Sequence, residues 1–433
     1  MKDVVKKVLD SLGLDKESHL YLQIFKKLPH HKFAVIKLGG YTLTKQLNSI
    51  AEDIAFFSKL GLTPIIVHGG GEQIDHALKK AKVSIKKIDG FRITDKKTMS
   101  VVKSTLYKIT KRLVNLINKK GGHAINANGI ATVTVYKKPL INGIDLGFVG
   151  EIKDIDTDTL KKLCASGNTP VLCSVGHSNN VPYNINADTL ASEIVKRIRP
   201  KKFILTSKTG GVLDNCGKII SSIDIETDLP QLIKTKSVDE GMLLKLCELK
   251  KLLETIPSMV VEICSAENIL KELFTVKGSG TFIRYGGNFL IKKDFKTLNT
   301  HKIKMLLEES FHKTLVSSYF NSDVDGIILE KDYSGIAVIK KIDGSFYLDK
   351  FAIEKSSQGN GLGKTMWHLI MKKYPSLIWR SSIDNPVNSW YLKQSDGTRK
   401  SGVWMVFWYN IDAENAFKLA ENISKIPSTM VKI

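Results

Sequence analysis

Two stretches of this chain end in the same way. "FAVIKLGG" (33–40) and "TPIIVHGGG" (63–71) are unbroken apolar runs that stop at glycines, and the second passes straight into the helical spacing of "EQIDHALKKA". A strand that is apolar at every position has both faces covered, which a parallel sheet sandwiched between helices provides. Further runs at "TPVLCSVG" (169–176) and "KFILTSKTGGVLD" (202–214) flank the helical "ADTLASEIVKRI". Strands alternating with helices predict an α/β domain with a largely parallel central sheet, whose ligands bind at the carboxyl ends of the strands. Both glycine runs fall there.

A length of 433 residues is too great for one ordinary core and predicts two or three domains. The pattern changes near "GGNFLIKKDF" (286–295), read here as a linker between residues 31–285 and 295–433, with 1–30 a separate helical segment for assembly or regulation. Beyond it, "DGIILEKD", "SGIAVIKKID" and "SFYLDKFAIE" are short strands that meet a glycine loop and the helix "GKTMWHLIMKKY", the pattern of a compact α+β domain. Lys and Arg exceed Asp and Glu by 65 to 43, giving +22, but the lysines are spread over the surface-like segments and no nucleic-acid-binding motif occurs. No nucleic-acid partner is expected. Cys164, Cys173, Cys216, Cys247 and Cys264 show no pairing pattern, no apolar run reaches about 18 residues, and the N-terminus has neither signal nor transit character. A cytoplasmic protein with no membrane contact is expected.

Glycine turns at helix starts bring backbone N–H groups close to an anion. "KLGG" and "HGGG" could enclose one polyphosphate, and Lys37 before the first would neutralise charge on a transferring phosphoryl group. The loop "SSQGNGLGK" (356–364) is different. It fails the ATP P-loop pattern, because Gln358 stands where a glycine is needed, and the dinucleotide fingerprint, because Lys364 does.

"KLGG", "HGGG", "GFRITD" (90–95), "NINADTLASEI" (184–194) and "GMLLK" (241–245) together resemble the amino acid kinase family, and within it the N-acetylglutamate kinases. The resemblance spans about residues 30–285 and implies that family's fold, ATP with Mg2+, and phosphorylation of N-acetyl-L-glutamate. On it, Lys37 and Lys245 would sit on the transferring phosphoryl group, with Asp188 orienting them. Gly39, Gly40, Gly69, Gly70 and Gly71 would supply amides. Arg92 and Asn184 would bind the α-carboxylate end of the acceptor, and no dedicated protein metal ligand is implied. The chain departs from the family at "TSKTGG", on the side of the nucleotide base. "ENILKELFTVKGSGTFI" resembles the arginine-binding segment of arginine-inhibited members, with Glu272 and Gly280 as regulatory candidates.

Gln358-x-x-Gly361-x-Gly363 resembles the pyrophosphate loop of the GNAT acyltransferases, and "WRSSIDNPVNSWY" resembles the acetyltransferase domain of N-acetylglutamate synthases joined to a kinase-like domain. That likeness implies a GNAT-like domain using acetyl-CoA. Lys350 and Arg380 would hold the carboxylates of L-glutamate, Asn385 the backbone end of the substrate, and Tyr391 would protonate the departing thiolate. No base for the amine is evident. The whole then resembles a bifunctional N-acetylglutamate synthase/kinase of arginine biosynthesis. A homotetramer inhibited by L-arginine is implied by resemblance alone. Two alternatives stay open: a single surviving activity beside a regulatory domain, and a basic scaffold or nucleic-acid-binding protein.

Overall fold

The computed structural model describes residues 16–88, 90–257, 259–274, 279–285, 289–355 and 362–431, with side chains from residue 21 onward except those of Glu240 and Lys364. The chain forms two compact units, residues 1–286 and 287–433.

The first unit is built on an eight-stranded sheet. Its strands in chain order are β1 (Ala34–Leu38), β2 (Ile65–His68), β3 (Ala124–Asn126), β4 (Thr169–Cys173), β5 (Lys202–Thr206), β6 (Ser222–Asp224), β7 (Val261–Cys264) and β8 (Thr281–Arg284). Across the sheet they run β6-β8-β7-β5-β1-β2-β4-β3. Every neighbouring pair is parallel except β7 and β8. All five residues of β1 are buried, as an apolar run flanked by helices on both faces requires.

The helices that matter for the site are α1 (Lys16–Lys26), α2 (Leu47–Lys59), α3 (Gly71–Lys80), α4 (Lys96–Lys119), α5 (Ala187–Ile198), α6 (Glu240–Thr255) and α7 (Ile269–Phe274). Val35 faces one core with α5 and α6, while Ile36 and Leu38 face another with α1, α2 and α7. A smaller four-stranded sheet (133–137, 150–155, 175–178, 181–184) completes the unit.

The segment read as a separate helical piece is part of this unit where it is described. Tyr21, Leu22 and Phe25 of α1 are buried, and the Phe25 ring meets Phe33 at 5.0 Å and Phe274 at 5.8 Å. Its apolar stripe is therefore covered by the unit's own core and does not stand exposed.

The second unit has α8 (Thr300–Phe311), α9 (Leu362–Lys373), α10 (Asn388–Gln394) and α11 (Ala413–Lys425) around a seven-stranded sheet. Its strands are β9 (Phe289–Lys292), β10 (Gly326–Glu330), β11 (Gly335–Ile342), β12 (Ser345–Ile353), β13 (Leu377–Ser382), β14 (Gly397–Ser401) and β15 (Trp404–Tyr409), in the order β9-β10-β11-β12-β13-β15-β14. The stretch read as a linker thus contains an edge strand, since Phe289–Lys292 pairs antiparallel with β10. The pairing satisfies backbone groups that a loop would leave to water.

The parallel pair in this sheet, β12 and β13, is joined at two positions, Tyr347 with Ile378 and Leu348 with Trp379. Beyond them β12 continues against β11, and β13 against β15. A seam therefore opens between Asp349–Ile353 and Arg380–Ser382.

Candidate active sites

In the first unit, residues from three distant segments meet at the carboxyl end of β1. Lys37 is the fourth residue of that strand, and alternation turns it toward α5 and α6. Asn186 caps α5 by accepting from the N–H groups of Asp188 and Thr189, which places Asp188 in the first turn. Asp239 caps α6 in the same way, through the Met242 N–H, and Lys245 follows in the second turn.

Lys37 Nζ lies 2.7 Å from Asp188 Oδ1, with the two side chains 8% and 16% exposed. Burial alone would raise the Asp188 carboxyl, but Lys37 and Lys245 outweigh it and hold the group below its ordinary value. Burial, and then Lys37, lower the Lys245 ammonium, against the pull of Asp188 and Asp239. Two ammonium groups share one carboxylate, an arrangement ready to receive a polyanion.

The glycine runs are strapped together around this point. Gly39 N–H donates to Thr206 Oγ1 at 2.9 Å, and a Cβ on Gly39 would stand 3.0 Å from the Thr206 carbonyl oxygen, so only glycine sits there without displacement. Gln73 Nε2 reaches back from α3 to the Gly40 carbonyl at 2.8 Å and to Thr44 Oγ1 at 2.7 Å. Gly69, Gly70 and Gly71 lead into α3, whose N-cap Gly70 supplies no side chain to its first amides. His68 is fully buried, with Nδ1 donating to the Gly69 carbonyl at 2.8 Å and Nε2 accepting from Thr110 Oγ1 at 2.8 Å. Burial lowers its pKa to about 4, so the ring is neutral and serves to hold the loop. Thr206 and Gln73 escaped the sequence reading, and His68 was read only as part of "HGGG", because these side chains act on the loops' backbone.

Arg92 is buried and pairs with Asp75, which also takes Lys87 at 3.0 Å. Arg92 Nη1 has no partner among the described residues, a donor suited to a carboxylate. Asn184 ends a short strand, half-buried, its N–H on the Phe148 carbonyl at 2.9 Å. Among the described residues no cluster of three or more His, Cys, Asp or Glu could hold a metal. A magnesium ion arriving with a nucleotide would be carried on its phosphates, with Asp188 the nearby carboxylate.

The regulatory candidates meet each other. The Glu272 carboxylate accepts from Gly280 N–H at 2.9 Å and from the Ser279 N–H. A Cβ on Gly280 would fall 2.1 Å from the Ile263 carbonyl oxygen, which fixes glycine at this position.

In the second unit the candidates divide between the two faces of the sheet. On one face Tyr391 of α10 is buried among Trp367, Trp379 and Phe407, with ring centroids 5.5–5.7 Å away. Burial raises its pKa, so the phenol stays protonated and has a proton to donate. Asn385 shapes the turn before α10, its Nδ2 on Ser381 Oγ at 2.7 Å and its Oδ1 accepting from Val387 N–H at 3.0 Å. Gly363 lies in the first turn of α9 against Ile353, whereas Gln358 and Gly361 lie outside the described residues.

On the opposite face, with α8 and α11, Lys350 and Arg380 border the seam. Lys350 Nζ lies 3.2 Å from Asp349 Oδ1, and Tyr319 OH donates to Asp349 Oδ2 at 2.8 Å. Burial would raise the Asp349 carboxyl, yet Lys350 and Lys340 hold it low, while burial lowers Lys350 against the pull of Asp349. Arg380 Nη1 donates to the Ile423 carbonyl at 2.6 Å and the Ile426 carbonyl at 2.7 Å, closing the end of α11. Its guanidinium therefore bears on the cluster mainly through its charge and its hydrogen bond with Tyr347. The cationic group and Tyr391 thus lie on opposite faces of the sheet.

Comparison with known proteins agrees with this division. The model of the amino acid kinase family matches residues 32–262, and that of the N-acetyltransferase of N-acetylglutamate synthase matches residues 290–426. An acetylglutamate kinase from Xylella fastidiosa is 34% identical over 396 residues, covering 91% of this chain and 93% of that protein. Human mitochondrial N-acetylglutamate synthase is 27% identical over 420 residues, covering 93% of this chain and 74% of that protein. The N-acetylglutamate synthase of Neisseria gonorrhoeae, solved with coenzyme A and N-acetyl-glutamate, superposes with a TM-score of 0.61 at 18% identity, over 94% of this chain and 95% of that one. That last likeness is one of fold.

Proposed function

The chain belongs to the amino acid kinase family, and from that premise we propose that it is a bifunctional enzyme of arginine biosynthesis. It transfers acetyl from acetyl-CoA to L-glutamate and phosphoryl from Mg-ATP to N-acetyl-L-glutamate. The observation that carries the kinase reading is the convergence of Lys37, Asp188 and Lys245 at the end of β1.

The carboxylate of N-acetylglutamate is itself the nucleophile. Its oxygen attacks the terminal phosphorus, the bond to ADP breaks, and no protein base is consumed. Lys37 and Lys245 neutralise charge on the transferring group, Asp188 sets their positions, and the amides at the start of α3 take phosphate oxygens. Arg92 and Asn184 hold the far end of the acceptor.

In the transferase, the amine of glutamate attacks the thioester carbonyl, the C–S bond breaks, and the proton lost from the nitrogen passes to bound water. Tyr391 donates to the departing thiolate, and Lys350 with Arg380 supplies positive charge for the acceptor's carboxylates. Acetyl-CoA would lie in the seam between β12 and β13, with its pyrophosphate at the start of α9.

Glu272 and Gly280 are proposed to take part in a response to L-arginine, and the chain to assemble as a homo-oligomer, a tetramer by resemblance. Scattered cysteines support a cytosolic setting, and no helix among the described residues is long and apolar enough to cross a membrane.

The test supplies either glutamate with acetyl-CoA or N-acetylglutamate with Mg-ATP to the purified chain, and follows CoA and ADP separately. Both products support the proposal. ADP alone makes the second unit regulatory, CoA alone makes the first a relic, and neither removes the enzyme reading in favour of a scaffold.

A further inference from the structure

The cationic face of the second unit holds a group that neither motif nor resemblance singled out. Lys340 of β11 stands opposite Tyr347 and shares its face of the sheet. Its Nζ lies 3.5 Å from Asp349 Oδ2, while Lys350 Nζ takes Oδ1 at 3.2 Å. Both ammonium groups lie over the ring of Tyr319, at 5.0 and 5.1 Å from its centroid. Lys340 and Lys350 share one carboxylate, Asp349, and the charge of Arg380 also bears on Lys350, so positive charge exceeds negative in the cluster. A buried surplus of that kind is costly unless an anion completes it.

A β-bulge creates the arrangement. Val338 pairs with Lys350 and Ile339 with Leu348, so Asp349 is the extra residue, and Lys350 turns to the same face as Tyr347. Simple alternation would have left it on the other face.

Lys350 and Arg380 border the seam where the acceptor's nitrogen must react, whereas Lys340 lies one strand further away. Among the described residues the Lys340 ammonium meets Asp349 at 3.5 Å and the face of Tyr319, and neither contact takes up all three of its donors. Resting on the acetyltransferase reading above, we propose that Lys340 sets acceptor specificity: with Lys350 it binds the side-chain carboxylate of glutamate, and Asp349 is the positioning residue that holds the two ammonium groups apart.

The test is Lys340→Met, which keeps the length of the side chain and removes its charge, with Lys340→Arg beside it. One hydrogen bond to a charged group is at stake, so KM for glutamate in the acetylation assay should rise ~10- to 100-fold. KM for acetyl-CoA should stay within about twofold. The ratio of kcat/KM for glutamate over glutamine should fall by the same factor as the glutamate KM rises, and arginine should restore part of it. The unchanged KM for acetyl-CoA reports that the second unit is folded, and phosphorylation of N-acetylglutamate reports the same for the first.

An unchanged glutamate KM, or equal losses for glutamate and glutamine, would overturn the assignment and leave Lys340 as a partner of Asp349 only. A wild-type chain that does not acetylate refutes the acetyltransferase reading instead. Calorimetric titration of L-glutamate into wild type and Lys340→Met then tests the subsite alone: a ~10-fold weaker Kd supports it, and equal Kd values sink it.

Discussion

Replacing Asp188 by asparagine keeps the shape of the kinase site and removes its one central negative charge. At 2.7 Å the Lys37–Asp188 attraction is about 6 kcal/mol in an effective dielectric of about 20. Most of this repays the cost of burying both ions, and breaking such a pair by removing one partner costs about 3–5 kcal/mol. The side chains retain 8% and 16% exposure, which favours the lower end. If about 3 kcal/mol is lost from the transition state, where the two lysines must meet the transferring phosphoryl group, kcat falls ~100-fold.

A second signature follows from Lys245. Burial and Lys37 already lower its pKa, and Asp188 opposes them. Without Asp188 it drops further. Only the protonated ammonium stabilises the phosphoryl group, so activity disappears as pH rises through that pKa, and the alkaline limb moves to lower pH in the variant. The assay is ADP release with saturating N-acetylglutamate, from about pH 6.5 to 9.5, with CoA release from glutamate as the control. A kcat within threefold of wild type and an unmoved alkaline limb would refute the reasoning.

Tyr391→Phe should lower kcat of acetyl transfer ~100- to 10,000-fold with KM for acetyl-CoA little changed, and leave ADP release intact; an unchanged kcat would remove Tyr391 as the proton donor. Asp53 is raised by burial, and then by Glu52, to about 7, so between its unfolded value near 3.8 and pH 7 the folded state holds a proton that the unfolded state lacks. That contribution is present at low pH and lost as pH rises through 7, so Asp53→Asn should stabilise the chain by roughly 1–4 kcal/mol at pH 8 and by almost nothing near pH 4. Thermal melts at the two pH values decide it, and an equal gain at both would contradict the assignment. Gly280→Ala forces a Cβ into the Ile263 carbonyl and should lower Tm with or without arginine; a native Tm would show that the turn relaxes.

The strands that lead to glycine were legible because a parallel strand covered on both faces is mostly apolar, and β1, β2, β4 and β5 are buried at every position. β9 was not, since four residues beside a glycine pair read as linker until the sheet edge that accepts them is known. Lys37 was marked by its place before a glycine pair, whereas Asp188 and Lys245 were reached through resemblance, because the contact is made by the sheet and by two helix caps far apart in the chain. Lys340 and Asp349 stayed hidden for a geometric reason. The bulge in β12 breaks the two-residue alternation at Asp349, and Lys340 alternates regularly on β11 with nothing local to mark it until that bulge brings Lys350 to its face.

The central claim is that one chain carries two working sites, and it is tested most directly by trapping the final product from the first substrate. The purified chain is given L-glutamate, acetyl-CoA and Mg-ATP with hydroxylamine, which converts an acyl phosphate to a stable hydroxamate, and the N-acetylglutamyl hydroxamate is measured by mass. The account predicts its formation from glutamate, dependent on both acetyl-CoA and ATP. Hydroxamate that forms only when N-acetylglutamate is supplied, or from neither substrate, would contradict it.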